Sequence, residues 1–273
     1  MNLPNLSTLA LSLEQGIAEI RLNRPDKSNA MTDAMWQEIR LAFEWADSTP
    51  EVRVVMLSGA GRNFCAGIDL ALLAGIQQRI AHPDGARSRE ALRRLILDMQ
   101  DCLSSVERCR KPVLAAIHGA CIGGALDLVT CCDMRYAAAD AVFSVREIDV
   151  GMVADVGTLQ RLPRLIPEGA ARELAFTGRN FLADEALRLG LINRVFASPE
   201  ALTATVRELA LAIAAKSPLA IRGIKEVMNY SRDHSVADGL NFVATWNASM
   251  LLSDDLGEAI AALREKRPPR FGN

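Results

Sequence analysis

The chain has 273 residues, of which 50% are hydrophobic and 23% charged, so it can bury a substantial core as one large domain or one domain with an appendage. This composition excludes a disordered chain. Its formal net charge of −2 supplies no general field for nucleic acid or an anionic membrane, so we expect a small ligand held by local groups.

The first third of the chain is predicted to form a hairpin, a helix and a strand. Apolar residues alternate over residues 8–22 on either side of a turn at Glu14-Gln15-Gly16. Thr32 can cap a helix that continues to about residue 47 with an apolar stripe. Residues 52–57 then form a short buried strand, and a loop with three glycines follows.

The middle of the chain is predicted to repeat the order strand, turn and helix before residue 200. A short helix and a long polar helix near 87–110 precede a strand at 112–117. The turn at 118–124 opens a helix that ends near residue 132, and another strand follows at 134–138.

Helical patterns dominate after residue 182. A helix at 183–189 and a strand at 192–195 are followed by helices near 199–216, 218–230, 235–251 and 254–265. Sequential βα units followed by helices indicate an α/β core with a C-terminal helical subdomain. We place the core at residues 1–198 and the helical subdomain at 199–273.

The six cysteines predict reduced core thiols. They form no CxxC pair and no histidine lies at zinc-finger spacing, which argues against a disulfide scaffold and a structural metal. No stretch approaches the roughly 20 apolar residues of a membrane helix, so we expect no membrane partner. The N-terminus resembles no signal peptide, and Phe271-Gly272-Asn273 is not a peroxisomal signal. We therefore expect a cytoplasmic location.

A glycine pair, Gly123-Gly124, lies where a predicted strand ends and a helix begins. Free N–H groups and the positive end of the helix dipole converge at such a point. The turn could donate hydrogen bonds to a developing negative charge, or it could need glycine for its geometry alone. Residues 63–70, NFCAGIDL, place small residues at a second strand-to-helix junction.

Three acidic residues, Asp127, Glu147 and Asp155, follow the glycine pair. Asp127 lies about one helical turn after Gly124, so both can face the same pocket. Each acid also has a simple structural role open to it. Asp127 could cap the helix, Glu147 could pair with Arg146 or Arg135, and Asp155 could shape its turn.

Four segments in order resemble the signature blocks of the enoyl-CoA hydratase/isomerase (crotonase) superfamily. They are FCAGIDL, HGACIGGALDLVTCCDMRY, EIDVGMVADVGTLQRLPRLI and FTGRNFLADEALRLGLINRVF. The resemblance implies an α/β crotonase-like (ClpP/crotonase) spiral of ββα units with a C-terminal helical subdomain, assembled as a homotrimer or homohexamer. It also implies an acyl-CoA substrate, with no metal and no cofactor beyond the coenzyme A that is part of the substrate.

In this superfamily, two main-chain N–H groups bind the thioester oxygen and stabilise the enolate formed when the neighbouring carbon loses a proton. The matching positions of this oxyanion hole are Ile68 and Gly124. A thioester α-proton is only weakly acidic, so prearranged donors address the main chemical difficulty. By resemblance, coenzyme A is expected to be bound by Arg24, Lys27, Ala66, Gly67, Ile68, Asp69, Leu70 and Gly124.

The acids resemble those of the dienoyl-CoA isomerases. Hydratases of the superfamily usually have Glu at the first two positions and hold a water there, whereas this chain has Asp127 and Glu147, with Asp155 in addition. The isomerases share the Asp, Glu, Asp arrangement and convert 3,5-dienoyl-CoA to 2,4-dienoyl-CoA in β-oxidation. Moving a proton from C2 to C6 needs proton-handling groups at both ends of the diene. We assign Glu147 to C2, Asp155 to C6 and a supporting role to Asp127.

Alternative interpretations remain open from the sequence. An enoyl-CoA hydratase of broad specificity is the nearest, and a homologue acting on aromatic or branched acyl-CoA is another. A third alternative is a non-catalytic member of the superfamily that binds CoA or RNA. The three acids and the lack of a basic stripe argue against it. His118 suggests a catalytic triad with Asp133 or Asp127 and a serine, but no GxSxG nucleophile motif is present, so a packed, hydrogen-bonded histidine is favoured.

Overall fold

The structure is a computed structural model that describes residues 3–273, and within that range it contains nine β-strands and eleven α-helices. The strands are β1 (Leu9–Glu14), β2 (Ile17–Leu22), β3 (Val54–Gly59), β4 (Val113–Ile117), β5 (Ala120–Ile122), β6 (Met134–Ala138), β7 (Val142–Ser144), β8 (Phe181–Leu182) and β9 (Arg194–Phe196). The helices are α1 (Asp33–Ser48), α2 (Leu70–Arg79), α3 (Gly85–Arg108), α4 (Gly124–Thr130), α5 (Thr158–Arg161), α6 (Glu168–Thr177), α7 (Ala183–Leu189), α8 (Pro199–Ala214), α9 (Pro218–Arg232), α10 (Val236–Met250) and α11 (Asp254–Glu265).

Six strands form the larger sheet, in the order β1-β2-β3-β4-β6-β9. The hairpin β1–β2 is antiparallel and every other pair is parallel. The central strands are continuous apolar runs because both of their faces are covered. On one face, Leu202, Val206 and Ala210 of α8 pack against Val54 and Leu114. The main hydrophobic core lies on the other face.

A second layer runs beside the large sheet. It contains the sheet β5-β7-β8 and two single-residue parallel bridges, Met31 with Ile68 and Cys65 with Cys121. After each of β2, β3, β4 and β6, the chain adds a short extended segment to this second layer. After the first three of these segments it continues into a helix. This repetition is a spiral of ββα units, and it confirms the predicted fold class.

The predicted elements match the structure to within a few residues for the long segments. The hairpin, α1 and the four C-terminal helices lie where their apolar periodicity places them. The strands β5, β7 and β8 and the helices α5 and α6 were not predicted, and β3 and β9 begin two residues later than expected. The domain boundary after residue 198 stays a prediction.

All six cysteines are buried and unpaired, as the sequence predicts. Burial disfavours the thiolate and raises the pKa of Cys65 to about 12. Within residues 3–273, none of the helices is both long enough and apolar enough to cross a membrane. In the same range, no group of three or more His, Cys, Asp or Glu side chains is arranged to hold a metal ion.

Candidate active site

The first main-chain donor, Ile68, lies in a short extended segment paired with Met31. The Met31 N–H donates to the Gly67 oxygen at 2.8 Å, and the Asp69 N–H donates to the Met31 oxygen at 3.0 Å. Main-chain groups of successive residues point to opposite sides of an extended chain. The Ile68 N–H is therefore directed away from Met31, and Ile68 lines a cavity on that side.

The second donor, Gly124, is the first residue of α4, where the N–H has no acceptor within the helix. Gly67 brings the two donor loops together. Its φ is +89°, and a Cβ there would lie 2.6 Å from the Ile122 oxygen and 3.4 Å from the Gly124 nitrogen. Only glycine permits this approach, so the two donors lie beside each other on one wall.

Asn29 holds the first donor loop in place, and the sequence analysis missed it. It is fully buried with a left-handed φ of 54°. Its amide nitrogen lies 2.8 to 3.0 Å from the carbonyl oxygens of Ala60, Asn63 and Phe64, and its Oδ1 accepts from the Arg24 N–H. The sequence offers one signal for this role. Asparagine tolerates a left-handed backbone, and Asn29 follows the segment that breaks the hairpin.

A cavity of about 430 Å³ joins the donors to two of the acids. Ile68, Gly124, Glu147 and Asp155 all line it. Most of the remaining wall is apolar and comes from α2, the residue after it and α3, through Leu73, Ile76, Ile80, Leu92, Leu95, Ile96 and Met99. Such a surface suits an aliphatic chain, with polar groups concentrated at one end.

Asp127 lies behind Glu147 and is completely buried. Its Oδ1 accepts from the Thr158 N–H, and its carboxyl group lies near enough to Glu147 for the two charges to interact. Asp127 Oδ2 and Glu147 Oε2 have no hydrogen-bond donor among the described residues. Burial and the charge of Glu147 raise the pKa of Asp127 to about 7, and burial also raises the pKa of Glu147. Two neighbouring buried carboxyl groups cannot both ionise cheaply, which favours a state in which the pair retains a proton.

Glu147 also lies next to the second donor turn. Gly123 has a φ of +56°, and a Cβ there would be 3.3 Å from Glu147 Oε1. The neighbouring arginines bind elsewhere, since Arg146 pairs with Asp149 at 2.9 Å and Arg135 donates to main-chain carbonyls. Glu147 is therefore oriented toward the cavity and not committed to an ion pair.

Asp155 lies in the cavity with Glu147, on a segment without regular secondary structure. Burial raises its pKa, and its charge in turn raises the pKa of Glu147. Its main-chain oxygen accepts a hydrogen bond from Gln100 Nε2 at 2.6 Å. The structure thus brings together the donor pair and all three predicted acids, of which Asp127 is buried and does not line the cavity.

The residues expected to bind coenzyme A surround the first donor loop. Arg24 pairs with Asp69 at 3.1 Å, and Asp69 caps α2 by accepting from the Ala71 N–H. These bonds lower the pKa of Asp69. Lys27, like Ala66 and Leu70 in the loop, is exposed. Contact between this group and coenzyme A stays a prediction.

His118 is half-buried and hydrogen-bonded, which agrees with the structural role favoured from the sequence. Its Nε2 lies 2.9 Å from the Gly61 oxygen. Asp133, one of the acids that could have completed a triad, accepts instead from Lys225 at 2.7 Å. The C-terminal tail packs on its own chain, where Arg267 pairs with Glu258 at 2.6 Å.

Comparison with known proteins gives consistent matches along the whole chain. The family described as enoyl-CoA hydratase/isomerase matches residues 12–273. A peroxisomal Δ(3,5)-Δ(2,4)-dienoyl-CoA isomerase from Arabidopsis thaliana is 48% identical, over 97% of this chain and 96% of that protein. The mitochondrial human protein of the same name is 47% identical, over 94% of this chain and 78% of its own. A crystal structure of an enoyl-CoA hydratase from Bacillus anthracis superposes with a TM-score of 0.88 at 30% identity, covering 97% of this chain and 99% of that one.

Proposed function

Because the chain belongs to the enoyl-CoA hydratase/isomerase family, we propose that it is a dienoyl-CoA isomerase that converts 3,5-dienoyl-CoA to 2,4-dienoyl-CoA in fatty-acid β-oxidation. The observation that carries this proposal is the shared cavity, in which two separate acids, Glu147 and Asp155, accompany the Ile68 and Gly124 donors. The names of the Arabidopsis and human relatives agree with it.

The proposed reaction begins with the thioester oxygen bound between the Ile68 and Gly124 N–H groups. Glu147 removes the C2 proton, and the electron pair shifts the double bonds from C3=C4 and C5=C6 to C2=C3 and C4=C5. Asp155 delivers a proton to C6. The two N–H groups stabilise the negative charge of the dienolate between these steps, and raised carboxyl pKa values suit groups that must both take and give a proton.

Asp127 has a supporting role in this scheme. Its proximity to Glu147 favours a proton retained by the pair, and the Thr158 N–H fixes its position. The cavity also bears on the hydratase alternative, which requires the first two acids to hold a reactive water between them. The mostly apolar wall favours isomerisation over hydration, because it excludes water from the acids.

We further propose that coenzyme A binds through Arg24, Lys27 and the main chain of Ala66 to Leu70. Titration calorimetry with acetoacetyl-CoA tests this step separately from catalysis. Lys27→Ala should weaken binding, and the loss should shrink as salt is added, because an exposed cation is screened. Undiminished affinity in Lys27→Ala would remove that residue from the site.

Assembly as a homotrimer or homohexamer is also part of the proposal. Large apolar side chains of the C-terminal helices are exposed, among them Met228 (68%), Leu240 (63%) and Leu263 (79%). Exposed apolar surface of this kind is typical of subunit contacts. The cytoplasmic location expected from the sequence stays a prediction, whereas the Arabidopsis and human relatives are named as peroxisomal and mitochondrial proteins. Fractionation of cells that produce the protein tests it.

A paired spectrophotometric assay tests the proposed activity. The purified protein is given matched 3,5-dienoyl-CoA and 2-enoyl-CoA substrates, and formation of the 2,4-diene is compared with hydration. We expect isomerisation to exceed hydration by a wide margin. Faster hydration, or activity on neither substrate by a folded protein that binds CoA esters, would contradict the proposal.

A further inference from the structure

The distal acid, Asp155, lacks the support that regular secondary structure gives to the other site residues. Residues 152–155 belong to neither a helix nor a strand. Among the described residues, one hydrogen bond is donated to a main-chain oxygen of this segment. It runs from Gln100 Nε2 to the Asp155 oxygen at 2.6 Å. The acid and the accepting oxygen belong to the same residue, so this bond restricts the position of the carboxyl group.

Gln100 belongs to a row of polar residues on α3. Gln100, Ser104 and Glu107 are spaced by four and three residues, which places them on one helix face. Glu107 pairs with Arg161 at 2.9 Å, and Arg161 also donates to Ser104. The row therefore binds the chain at both ends of the stretch from Asp155 to Arg161.

The stretch held by this row connects to both parts of the acid cluster. It begins with Asp155 and includes Thr158, whose N–H binds Asp127. Between them, Gly157 has a φ of +136° and lies against the Arg161 side chain, where a Cβ would overlap the guanidinium. The same helix α3 contributes Leu92, Leu95, Ile96 and Met99 to the substrate cavity. The helix that forms the apolar wall thus also carries the donor that holds the distal acid.

We propose that Gln100 is a positioning residue that sets Asp155 at the distal end of the proposed substrate, an inference that rests on the proposed isomerase function. Gln100 lines a separate polar cavity of about 370 Å³ on the far side of Val156 and does not line the substrate cavity. It acts on the reaction only through Asp155. Glu147 makes no hydrogen bond to Gln100 and is held by its own turn, in which the Met152 N–H donates to the Glu147 oxygen.

The test compares Gln100→Leu with Gln160→Leu and the wild type. Gln160 lines the same polar cavity, is exposed and makes no side-chain hydrogen bond in the described chain, so its substitution is a matched control. Leucine removes the donor at position 100 and leaves the Asp155 oxygen without its partner. Four quantities are measured: kcat and KM for isomerisation, the rate of C2 hydrogen–deuterium exchange in heavy water, and the melting temperature.

We expect Gln100→Leu to lower kcat for isomerisation about 10- to 100-fold, as for other small displacements of a catalytic group. KM and the C2 exchange rate should stay within about twofold of wild type, and Gln160→Leu should resemble wild type throughout. Unchanged isomerisation in Gln100→Leu would overturn the proposal. An equal loss of isomerisation and exchange would also overturn it, because it would indicate general damage to the site.

A second measurement separates this inference from the proposed function. The carboxyl carbon of Asp155 is titrated by NMR in wild type and in both variants, without substrate. A changed Asp155 titration in Gln100→Leu alone supports positioning by Gln100 even if the wild type isomerises no dienoyl-CoA. The same titration in all three proteins would refute it, whatever the substrate proves to be.

Discussion

The two ends of the site are built in different ways. At the proximal end, Gly124 and Asp127 belong to α4, and Glu147 follows β7 by three residues, so regular elements place the donor and the first two acids. At the distal end, Asp155 lies on an irregular segment and depends on a side chain from α3. Regular secondary structure thus positions the acid assigned to C2, whereas a long-range side-chain contact positions the acid assigned to C6.

The largest expected effect on isomerisation and C2 exchange together comes from the proximal acid. Glu147→Gln removes the group assigned to C2, where the reaction begins, so we expect isomerisation and C2 exchange both to fall about 10³-fold or more. Binding of acetoacetyl-CoA, measured by calorimetry, should persist because the two N–H donors remain. Full C2 exchange in this variant would reverse the assignment of the two ends.

The proximal end was also the more predictable from sequence. Gly123-Gly124 at a strand-to-helix junction, with Asp127 one turn later, is a local pattern whose geometry follows from the helix itself. The role of Gln100 was not predictable in this way, because it depends on a contact spanning 55 residues between a polar helix face and an irregular segment. Asn29 was missed for the same reason, since its partners lie more than 30 residues away.

The fold shows the same division between local and tertiary information. The hairpin β1–β2 and helix α1 carry clear apolar periodicity and were predicted closely. Strands β5, β7 and β8 have only two or three residues each, too few to display a period. These strands form because they pair with one another in the second layer of the spiral. That pairing depends on tertiary structure and cannot be inferred from a local sequence pattern.

The next largest effect tests the donor at position 124. Gly124→Pro removes the N–H and should lower the isomerisation rate by about 100-fold, or roughly 3 kcal/mol, the loss found for other oxyanion-hole donors. Proline is tolerated at the first position of a helix, so α4 should still form. Loss of C2 exchange should match the loss of isomerisation, since the donor serves both steps.

Gly124→Ala is the matched control for that experiment. It keeps the N–H but adds a Cβ that would meet the flexible Met31 Cε at 2.7 Å. We expect a smaller loss than in Gly124→Pro, measured by the same assay and checked by circular dichroism. Equal losses in the two variants would attribute the effect to crowding and not to the missing donor.

The smallest effect on rate is expected from Asp127→Asn, because Asp127 is assigned no obligatory proton. The introduced amide can still accept from the Thr158 N–H and can donate to Glu147. Isomerisation should fall by less than about tenfold, a weaker effect than for either cavity acid. A loss as large as that of Glu147→Gln would make Asp127 a direct participant in proton transfer.

Stability gives Asp127→Asn a second readout. The pKa of Asp127 is raised from 3.8 to about 7 in the folded protein, so the folded protein keeps a proton that the unfolded chain releases. Wild-type unfolding free energy therefore falls as pH rises from about 4 to 7. The variant has no carboxyl group at position 127 and so lacks this contribution. The difference in unfolding free energy, variant minus wild type, should therefore increase by roughly 2 to 4 kcal/mol between about pH 4 and 7. Urea unfolding at pH 4, 5.5 and 7.5 measures the difference, and parallel pH profiles would contradict the shared-proton interpretation.

The most direct test of the two-ended site is the ratio of isomerisation to C2 hydrogen–deuterium exchange in Asp155→Asn. Dienoyl-CoA isomerisation and exchange are followed in the same heavy-water sample, by absorbance and by mass spectrometry. We predict that isomerisation is abolished while measurable C2 exchange continues, because Glu147 and both N–H donors remain in place. Near-wild-type isomerisation by Asp155→Asn would contradict it and would remove the distal acid from the mechanism.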